Sequence, residues 1–191
     1  MSNNQRKTIK EILLLKRAEM IGEQLLPYVQ ENDSILDFGC SYMTISKYMQ
    51  SQKKISITGI DVSDYKVEDA NFVKYGGGKL PFDDNQFDVV FSIFVLHHTD
   101  NPDFYLKELI RVSKRTIIIC EDSFTNIIGK MLTILADLIL NFPFYGTNFK
   151  SLNEWKELFK NNSVELIEYK RIYIILFPSF IRLNVLMELK K

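Results

Sequence analysis

Two aspartates and a glycine in the first third of the chain have the types and spacing of a nucleotide-binding site. Asp37 follows the apolar run at 34–36, Gly39 comes two residues later, and Asp61 ends a second apolar run 24 positions after Asp37. An acid at the end of the second strand of an α/β fold accepts hydrogen bonds from both hydroxyls of a ribose, and a glycine permits a sharp turn close to a ligand. The pattern predicts a site for an adenosine-containing cofactor. Two acids that merely cap a turn and a helix are the alternative explanation.

Strands and helices in alternation must position these residues. Short apolar or β-branched runs predict strands at 34–37, 55–60, 71–75, 87–94, 116–120, 164–169 and 184–189. Helical spacing and capping residues predict helices at 8–29, 44–50, 101–112, 126–141 and 151–160. Residues 172–180 are apolar and fit either type of element. The alternation predicts a parallel sheet covered on both faces, with ligands at the carboxyl ends of its strands.

The composition indicates one folded domain over residues 1–191, with an N-terminal helix within 1–30 and a variable segment at 124–150. Because 24 basic residues balance 24 acidic ones, the chain lacks the electrostatic footprint of a nucleic-acid-binding protein. Two cysteines suit a reducing compartment. No secretory signal and no apolar run of about 18 residues is present, so we expect a cytoplasmic protein without a membrane span.

Three longer motifs carry a resemblance to a known family. ILDFGCS, ITGIDVS and KLPFDDNQFDVVFSIFVLHHTDNPDFYLKELIRVSKRTIII resemble the successive motifs of class I S-adenosylmethionine-dependent methyltransferases, type 11, nearest the small-molecule subgroup that includes quinone-biosynthesis enzymes. The resemblance covers about residues 35–122. It implies an α/β, Rossmann-like, doubly wound and mostly parallel seven-stranded sheet with helices on both faces, and S-adenosylmethionine as the cofactor. The expected function is methyl transfer to a small, apolar or aromatic molecule.

The resemblance also implies roles residue by residue. Four residues would line the methionine part of the cofactor: Asp37, Gly39, Cys40 and Ser41. Asp61 would hold the ribose, and the residues around the adenine would be Val62, Tyr75, Gly76 and Gly77. Ser92 and Ile93 would lie beneath the methionine moiety. His97 and His98 lie at the catalytic rim. Tyr42, Phe144 and Tyr145 are the candidate substrate contacts. No metal is expected.

The chain departs from the family pattern at three positions of the expected cofactor site, and Ser113-Lys114-Arg115 replaces the usual Pro-Gly-Gly in a turn before the fifth strand. Ser41 and Met43 stand where the family has glycines, and Gly76 stands where an acid commonly meets the adenine amino group. Met43 either narrows the pocket or points into the core, where methionine fills irregular gaps. The departures favour a rival interpretation, a non-catalytic protein that keeps the fold and binds a nucleoside or a second subunit, as a homo- or hetero-oligomer. A nicotinamide-dependent oxidoreductase is disfavoured because GxGxxG is absent.

Two features bear on the substrate. A hydroxyl acceptor needs a base, and the only two histidines, His97 and His98, suit that role near neutral pH; alternatively one packs in the core and the other bonds the backbone. The predicted helix at 126–141 has a wide apolar stripe and a polar face. By default the stripe is core. We predict instead that this helix, with residues 142–149, forms a mobile cover over the substrate side.

Overall fold

Seven strands form one sheet at the centre of the computed structural model, which describes residues 8–65, 67, 69–141, 146–172 and 183–190. The strands are β1 Ser34–Phe38, β2 Ser56–Asp61, β3 Asn71–Lys74, β4 Phe87–Ile93, β5 Ser113–Ser123, β6 Glu165–Ile172 and β7 Leu183–Lys190. Their order is β3-β2-β1-β4-β5-β7-β6. The first five pair in parallel, whereas β7 runs antiparallel between β5 and β6. The predicted mostly parallel seven-stranded sheet is confirmed.

Local capping signals begin three of the five helices. The helices are α1 Ile9–Leu25, α2 Thr44–Gln52, α3 Pro102–Val112, α4 Ile127–Asn141 and α5 Leu152–Asn161. Capping boxes begin α1 and α5, at Thr8 and Ser151, and the Asn101 side chain accepts the Phe104 N–H at the start of α3. The predicted helix at 8–29 is too long. It ends at Leu25 and continues as a 3₁₀ turn over Leu26–Tyr28, because Pro27 supplies no N–H for an α-helical bond.

Two hydrophobic cores lie on opposite faces of the sheet. The core on one face includes Ile21 and Leu25 of α1 and Met49 of α2. Leu106 of α3 and Trp155 of α5 belong to the core on the other face. Both faces of β1, β2, β4 and β5 are therefore buried, which explains their nearly continuous apolar sequences. The prediction of helices on both faces is confirmed.

Helix α4 packs with its polar side inward. Thr133 and Asp137 are 1% and 0% exposed, whereas Ile127 and Ile139 are 70% and 68% exposed. The large apolar residues exposed on α4 are Ile127, Ile128, Met131, Leu132, Ile134, Leu135, Leu138 and Ile139. The default expectation that the apolar stripe is core is wrong, because the polar side carries an aspartate that is bonded inside the fold. Within the described residues, no helix has both the length and the apolar character needed to cross a membrane.

The Leu80-Pro81-Phe82 turn is bound to α3 by two charged side chains. Glu108 Oε2 accepts the Leu80 N–H at 2.8 Å. The Arg111 guanidinium donates to the carbonyl oxygens of Leu80 and Phe82 and to the carboxylate of Glu108. These bonds fix the chain just before β4. Glu108 and Arg111 of the KELIRV motif therefore position β4, the strand that leads into the site.

Candidate functional site

The turn between β1 and α2 keeps the backbone of a glycine-rich loop, although two of its positions carry side chains. Gly39, Ser41 and Met43 have φ values of 72°, 49° and 54°. The Gly39 N–H donates to the Ile60 carbonyl at 2.8 Å, which extends the β1–β2 pairing into the turn. A Cβ on Gly39 would lie 2.5 Å from Val95 Cγ2. The sequence is eroded at Ser41 and Met43, but the left-handed conformations that favour glycine are retained.

The Asp61 carboxylate links this turn to the end of β2. Its Oδ2 accepts the Ser41 N–H at 3.0 Å, and its Oδ1 accepts the Ser63 N–H at 2.9 Å. The side chain is 9% exposed, so part of it still faces solvent. The predicted ribose acid and the predicted glycine turn therefore meet at one point on the carboxyl edge of the sheet.

Asp37, at the end of β1, is a second acid at this edge. It is 6% exposed, and Ser46 Oγ donates to its Oδ2 at 2.5 Å. Burial raises the pKa of Asp37 to about 6, the Ser46 hydrogen bond opposes the rise, and the charge of Asp61 adds to it. A positively charged ligand beside these two carboxylates would relieve their repulsion.

Met43 points into the core. Its side chain is fully buried, and a Cβ on Gly59 of β2 would lie 2.7 Å from Met43 Sδ and 2.6 Å from Cys40 Sγ. The structure therefore supports the packing interpretation of Met43 and not the narrowed pocket. Cys40 is also buried, and burial, with the charges of Asp37 and Asp61, raises the pKa of its thiol, so it is a poor nucleophile.

The predicted adenine side is open. Val62 is 56% exposed, and a Cβ on Gly76 would have no other atom within 4 Å. Tyr75 is half-buried, and burial and the neighbouring Tyr105 raise the pKa of its hydroxyl. Gly77 has a φ of 83°. Space for an adenine ring and for a larger residue at position 76 is therefore present.

Tyr105 of α3 supports this loop and was not predicted as a site residue. Its hydroxyl accepts the Gly78 N–H at 3.1 Å, and its ring centroid lies 5.4 Å from that of Phe38. The sequence offered only an aromatic residue on an amphipathic helix, a signal that packing explains equally well.

His97 is enclosed between two acids. It is 1% exposed, Nδ1 contacts Glu121 Oε2, and Nε2 lies 3.8 Å from Asp137 Oδ1. Burial lowers the pKa of His97, but the attraction of Glu121 and Asp137 outweighs it and raises the value to about 10. Burial raises the pKa of Asp137, but the attraction of His97 and the hydrogen bond from the Gly146 N–H outweigh it and bring the value to about 2. The Phe149 ring stacks on the His97 imidazole, with the two ring centroids 4.6 Å apart.

His98 lies on the outer side of this cluster. Its ring centroid is 4.1 Å from that of His97, but the residue is exposed. The adjacent histidines that the sequence presents as equivalent candidates are thus in different environments, and only His98 is accessible from solvent.

Glu121, at the carboxyl end of β5, is a further residue without a predicted role. It is fully buried, and its Oε1 accepts the N–H groups of Val95 and Leu96. Its position directly after an apolar strand was the available signal. Nearby on β4, Ser92 is fully buried, its hydroxyl has no hydrogen-bond partner among the described residues, and Ile93 is half-buried.

The substrate-side predictions are placed only in part. Tyr42 is 62% exposed, and its ring meets that of Tyr65 edge-on at 4.7 Å. Both border an open cleft of about 770 Å³ between α1 and α2. Phe144 and Tyr145 lie outside the described residues.

Part of the chain is similar to known proteins. Residues 36–119 match the family model described as "Methyltransferase domain". A relative from Aspergillus luteorubrus, named "Probable methyltransferase ltbC", is 32% identical over 121 residues, which are 52% of this chain and 41% of the relative. The chain therefore spans less than half the length of this curated relative.

Solved structures share the fold. A Haloferax volcanii protein assigned as a methyltransferase, in complex with the Trm112 methyltransferase activator, has a TM-score of 0.74 at 19% identity, covering 93% of this chain and 91% of its own. A SAM-dependent methyltransferase from Methanosarcina mazei has a TM-score of 0.69 at 19% identity, covering 88% and 96%. At this identity, the likeness establishes the architecture.

Proposed function

We propose that this chain transfers a methyl group from S-adenosylmethionine to a small apolar or aromatic molecule. Its residues 36–119 match the methyltransferase domain family, and it shares the fold of a solved SAM-dependent methyltransferase. The observation that carries the proposal is the meeting of the Asp61 carboxylate with the Gly39–Met43 turn at the carboxyl edge of the sheet. Paired acids, a left-handed turn and an open adenine side are the parts that such a cofactor needs.

The residues present fit the cofactor. Asp61 would hold the ribose hydroxyls, the turn at 39–41 would face the methionine part, and the loop at 75–77 with Val62 would border the adenine. Asp37 and Asp61 together favour a ligand that carries positive charge. When bound, S-adenosylmethionine supplies a methyl group already activated by positive sulfur. The chain's own task is then to orient the acceptor and exclude water, which is largely positioning.

At the catalytic rim we propose different roles for the two histidines. His98, which is exposed, is the one that can contact a substrate and accept a proton from a hydroxyl. His97, enclosed by Glu121 and Asp137, is a positioning residue that holds the backbone of the rim against α4. Its carbonyl oxygen accepts the N–H groups of Thr147 and Asn148.

The substrate class is proposed from α4. Its exposed residues include Ile128, Met131 and Leu135, and α4 follows β5 at the carboxyl edge, where variable segments of this architecture lie. An apolar face in this place suits an apolar or aromatic acceptor. The balanced charge of the chain gives no support for a polyanionic substrate.

The experiment that tests the function is calorimetric titration of the purified protein with S-adenosylmethionine, S-adenosylhomocysteine and, as control, NAD⁺. We expect one site for each of the first two ligands and none for NAD⁺. Saturation with NAD⁺ alone would instead support an oxidoreductase, and absence of binding by all three would remove the proposal.

A second candidate is a non-catalytic subunit that keeps the fold. The apolar face of α4 favours it, because contiguous exposed apolar surface marks interaction sites. The similar structure from Haloferax volcanii is itself bound to an activator protein. Sedimentation of the protein with and without cofactor separates the candidates. A monomer that binds S-adenosylmethionine supports the enzyme, whereas a stable dimer without cofactor affinity supports the subunit.

Gly76→Asp is expected to tighten cofactor binding about 2- to 10-fold. An aspartate here would restore an acceptor for the adenine amino group, a hydrogen bond of about 0.5–1.5 kcal/mol. The position is sterically open, so the fold should tolerate the change. Gly76→Ala is the control, since it adds the Cβ of an aspartate without the carboxylate. Equal affinities of the two variants in calorimetry would contradict the prediction.

Backbone amides of α4 are expected to exchange hydrogen faster than those of β4, and to slow when S-adenosylhomocysteine binds. The apolar face of α4 is exposed, so the helix makes fewer core contacts than a central strand and opens at lower free-energy cost. Hydrogen exchange with mass spectrometry measures both segments in one sample. Protection of α4 equal to that of β4 in the free protein would rule out a mobile cover.

A further inference from the structure

We propose that His97, His98 and Asp137 form a binding site for a divalent transition-metal ion, with Zn²⁺ as the ion best suited to the donor set. One ligand atom from each of the three residues lies within 4.8 Å of the other two. The proposal does not depend on methyl transfer, because it concerns only these side chains and their neighbours.

The main observation concerns the partners of the two ring nitrogens of His97. Its Nε2 is buried and has no hydrogen-bond partner among the residues that the structure describes. The other ring nitrogen, Nδ1, contacts Glu121. A carboxylate that accepts the Nδ1–H fixes the tautomer in which Nε2 carries a lone pair, the arrangement that commonly lies behind a metal-bound histidine. Glu121 itself is held by two backbone N–H groups, so the imidazole is oriented before any ion arrives.

Asp137 is placed to be the second ligand. Its Oδ2 accepts the Gly146 N–H at 2.6 Å, which holds the carboxylate in place. Its Oδ1 is 3.8 Å from His97 Nε2, too far for a hydrogen bond. Two ligands on a tetrahedral zinc ion, with bonds of about 2.0–2.1 Å, lie about 3.4 Å apart. The observed separation is therefore closer to that of two ligands around an ion than to that of a direct bond.

His98 would complete the site from the solvent side. Because the residue is exposed, its side chain can adjust to an ion, and it gives the ion a route of entry. Two imidazoles and one carboxylate suit zinc and its neighbours and not Mg²⁺ or Ca²⁺, which prefer oxygen ligands. Three protein ligands leave a coordination position open to water or a substrate oxygen. In that case His98 would be a ligand and would not act as the proton acceptor.

The same geometry has an explanation without an ion, a protonated His97 that attracts both acids. The two explanations differ in what they require of His98. An ion needs the His98 imidazole, whereas the attraction between His97, Glu121 and Asp137 does not. The chain has no other histidine, and both cysteines, Cys40 and Cys120, are buried. The chain therefore offers a zinc ion no other imidazole and no exposed thiol.

The test is equilibrium dialysis of the chelator-treated protein against Zn²⁺, with Mg²⁺ in parallel. We expect one zinc ion per chain, a higher melting temperature with Zn²⁺ and no change with Mg²⁺. Cobalt substitution should give visible d–d absorption typical of nitrogen and oxygen ligands. Failure of the protein to bind zinc in a one-to-one ratio would overturn the proposal.

Two variants assign the site. His98→Ala removes an exposed ligand without opening the core and should weaken zinc binding at least about 10-fold, the lower end of the loss expected when even an outer-shell partner is removed. Asp137→Asn keeps an oxygen for the Gly146 N–H and should also weaken binding. Asp100→Ala, at an exposed acid two residues from His98, is the control and should bind as the wild type does. Unchanged zinc affinity in His98→Ala would refute the site even if the protein bound zinc elsewhere.

Discussion

Asp61→Ala is expected to weaken binding of S-adenosylmethionine and S-adenosylhomocysteine about 10- to 100-fold. Hydrogen bonds to a charged group contribute roughly 1.5–3 kcal/mol, which corresponds to that range of affinity. The structure adds a second reason, because the Asp61 carboxylate also accepts the Ser41 N–H. Its removal takes away the proposed ribose contact and loosens the turn that would face the methionine part.

Isothermal calorimetry on two further variants separates these contributions. Asp61→Asn keeps one carbonyl oxygen for a backbone N–H, so we expect an affinity between those of the wild type and the alanine variant. Asp64→Ala removes an exposed acid from the same loop and should leave the affinity unchanged. Equal affinity of Asp61→Ala and wild type would refute the assignment of the ribose site.

Asp37→Asn is expected to stabilise the protein at pH 8 while weakening cofactor binding. The pKa of Asp37 is about 6 in the folded protein against an ordinary value of 3.8, so its ionised form is disfavoured by folding. A difference of about two units corresponds to roughly 3 kcal/mol. Asparagine carries no charge and can still accept the Ser46 hydroxyl. The gain in the free energy of unfolding is smaller by the cost of burying the asparagine NH₂ group without hydrogen-bond partners.

The pH dependence of the stability difference tests whether the buried charge of Asp37 causes it. Between about pH 4 and 6 the folded protein holds a proton on Asp37 that the unfolded chain releases, so the free energy of unfolding contributed by this group falls as pH rises through that window. Above about pH 6, the destabilisation that comes from the buried, ionised Asp37 carboxylate is fully present. Urea unfolding of wild type and Asp37→Asn at pH 4.5 and 8 should give a difference that grows with pH. A constant difference, or a variant less stable at pH 8, would contradict the prediction.

Much of the fold was determined by the sequence because its signals are local. Buried parallel strands need apolar residues on both faces, so β1, β4 and β5 are visible as apolar runs. Helices need partners for their first N–H groups, so Asn101 and Ser151 mark the starts of α3 and α5. Once the strands were placed, the parallel arrangement put Asp37 and Asp61 at the same edge, and the candidate cofactor site followed without any knowledge of long-range contacts.

Tertiary structure alone decided which way several side chains point. Met43 occupies a position where the family has glycine, yet its side chain fills the space above Gly59, and no local pattern records that space. His97 and His98 are neighbours in sequence. Their burial differs because Glu121 and Asp137, 24 and 40 positions further along the chain, enclose only one of them.

Helix α4 is the clearest case. Its periodicity correctly gave a helix with one apolar and one polar side, because backbone hydrogen bonding depends on neighbouring residues. Which side faces the sheet depends on contacts between distant segments. Here the buried bonds of Asp137 to Gly146 and its approach to His97 turn the polar side inward, and the apolar side is left exposed. A hydrophobic stripe identifies a surface whose burial away from water is favourable. The sequence of the stripe does not determine which segment or molecule buries it.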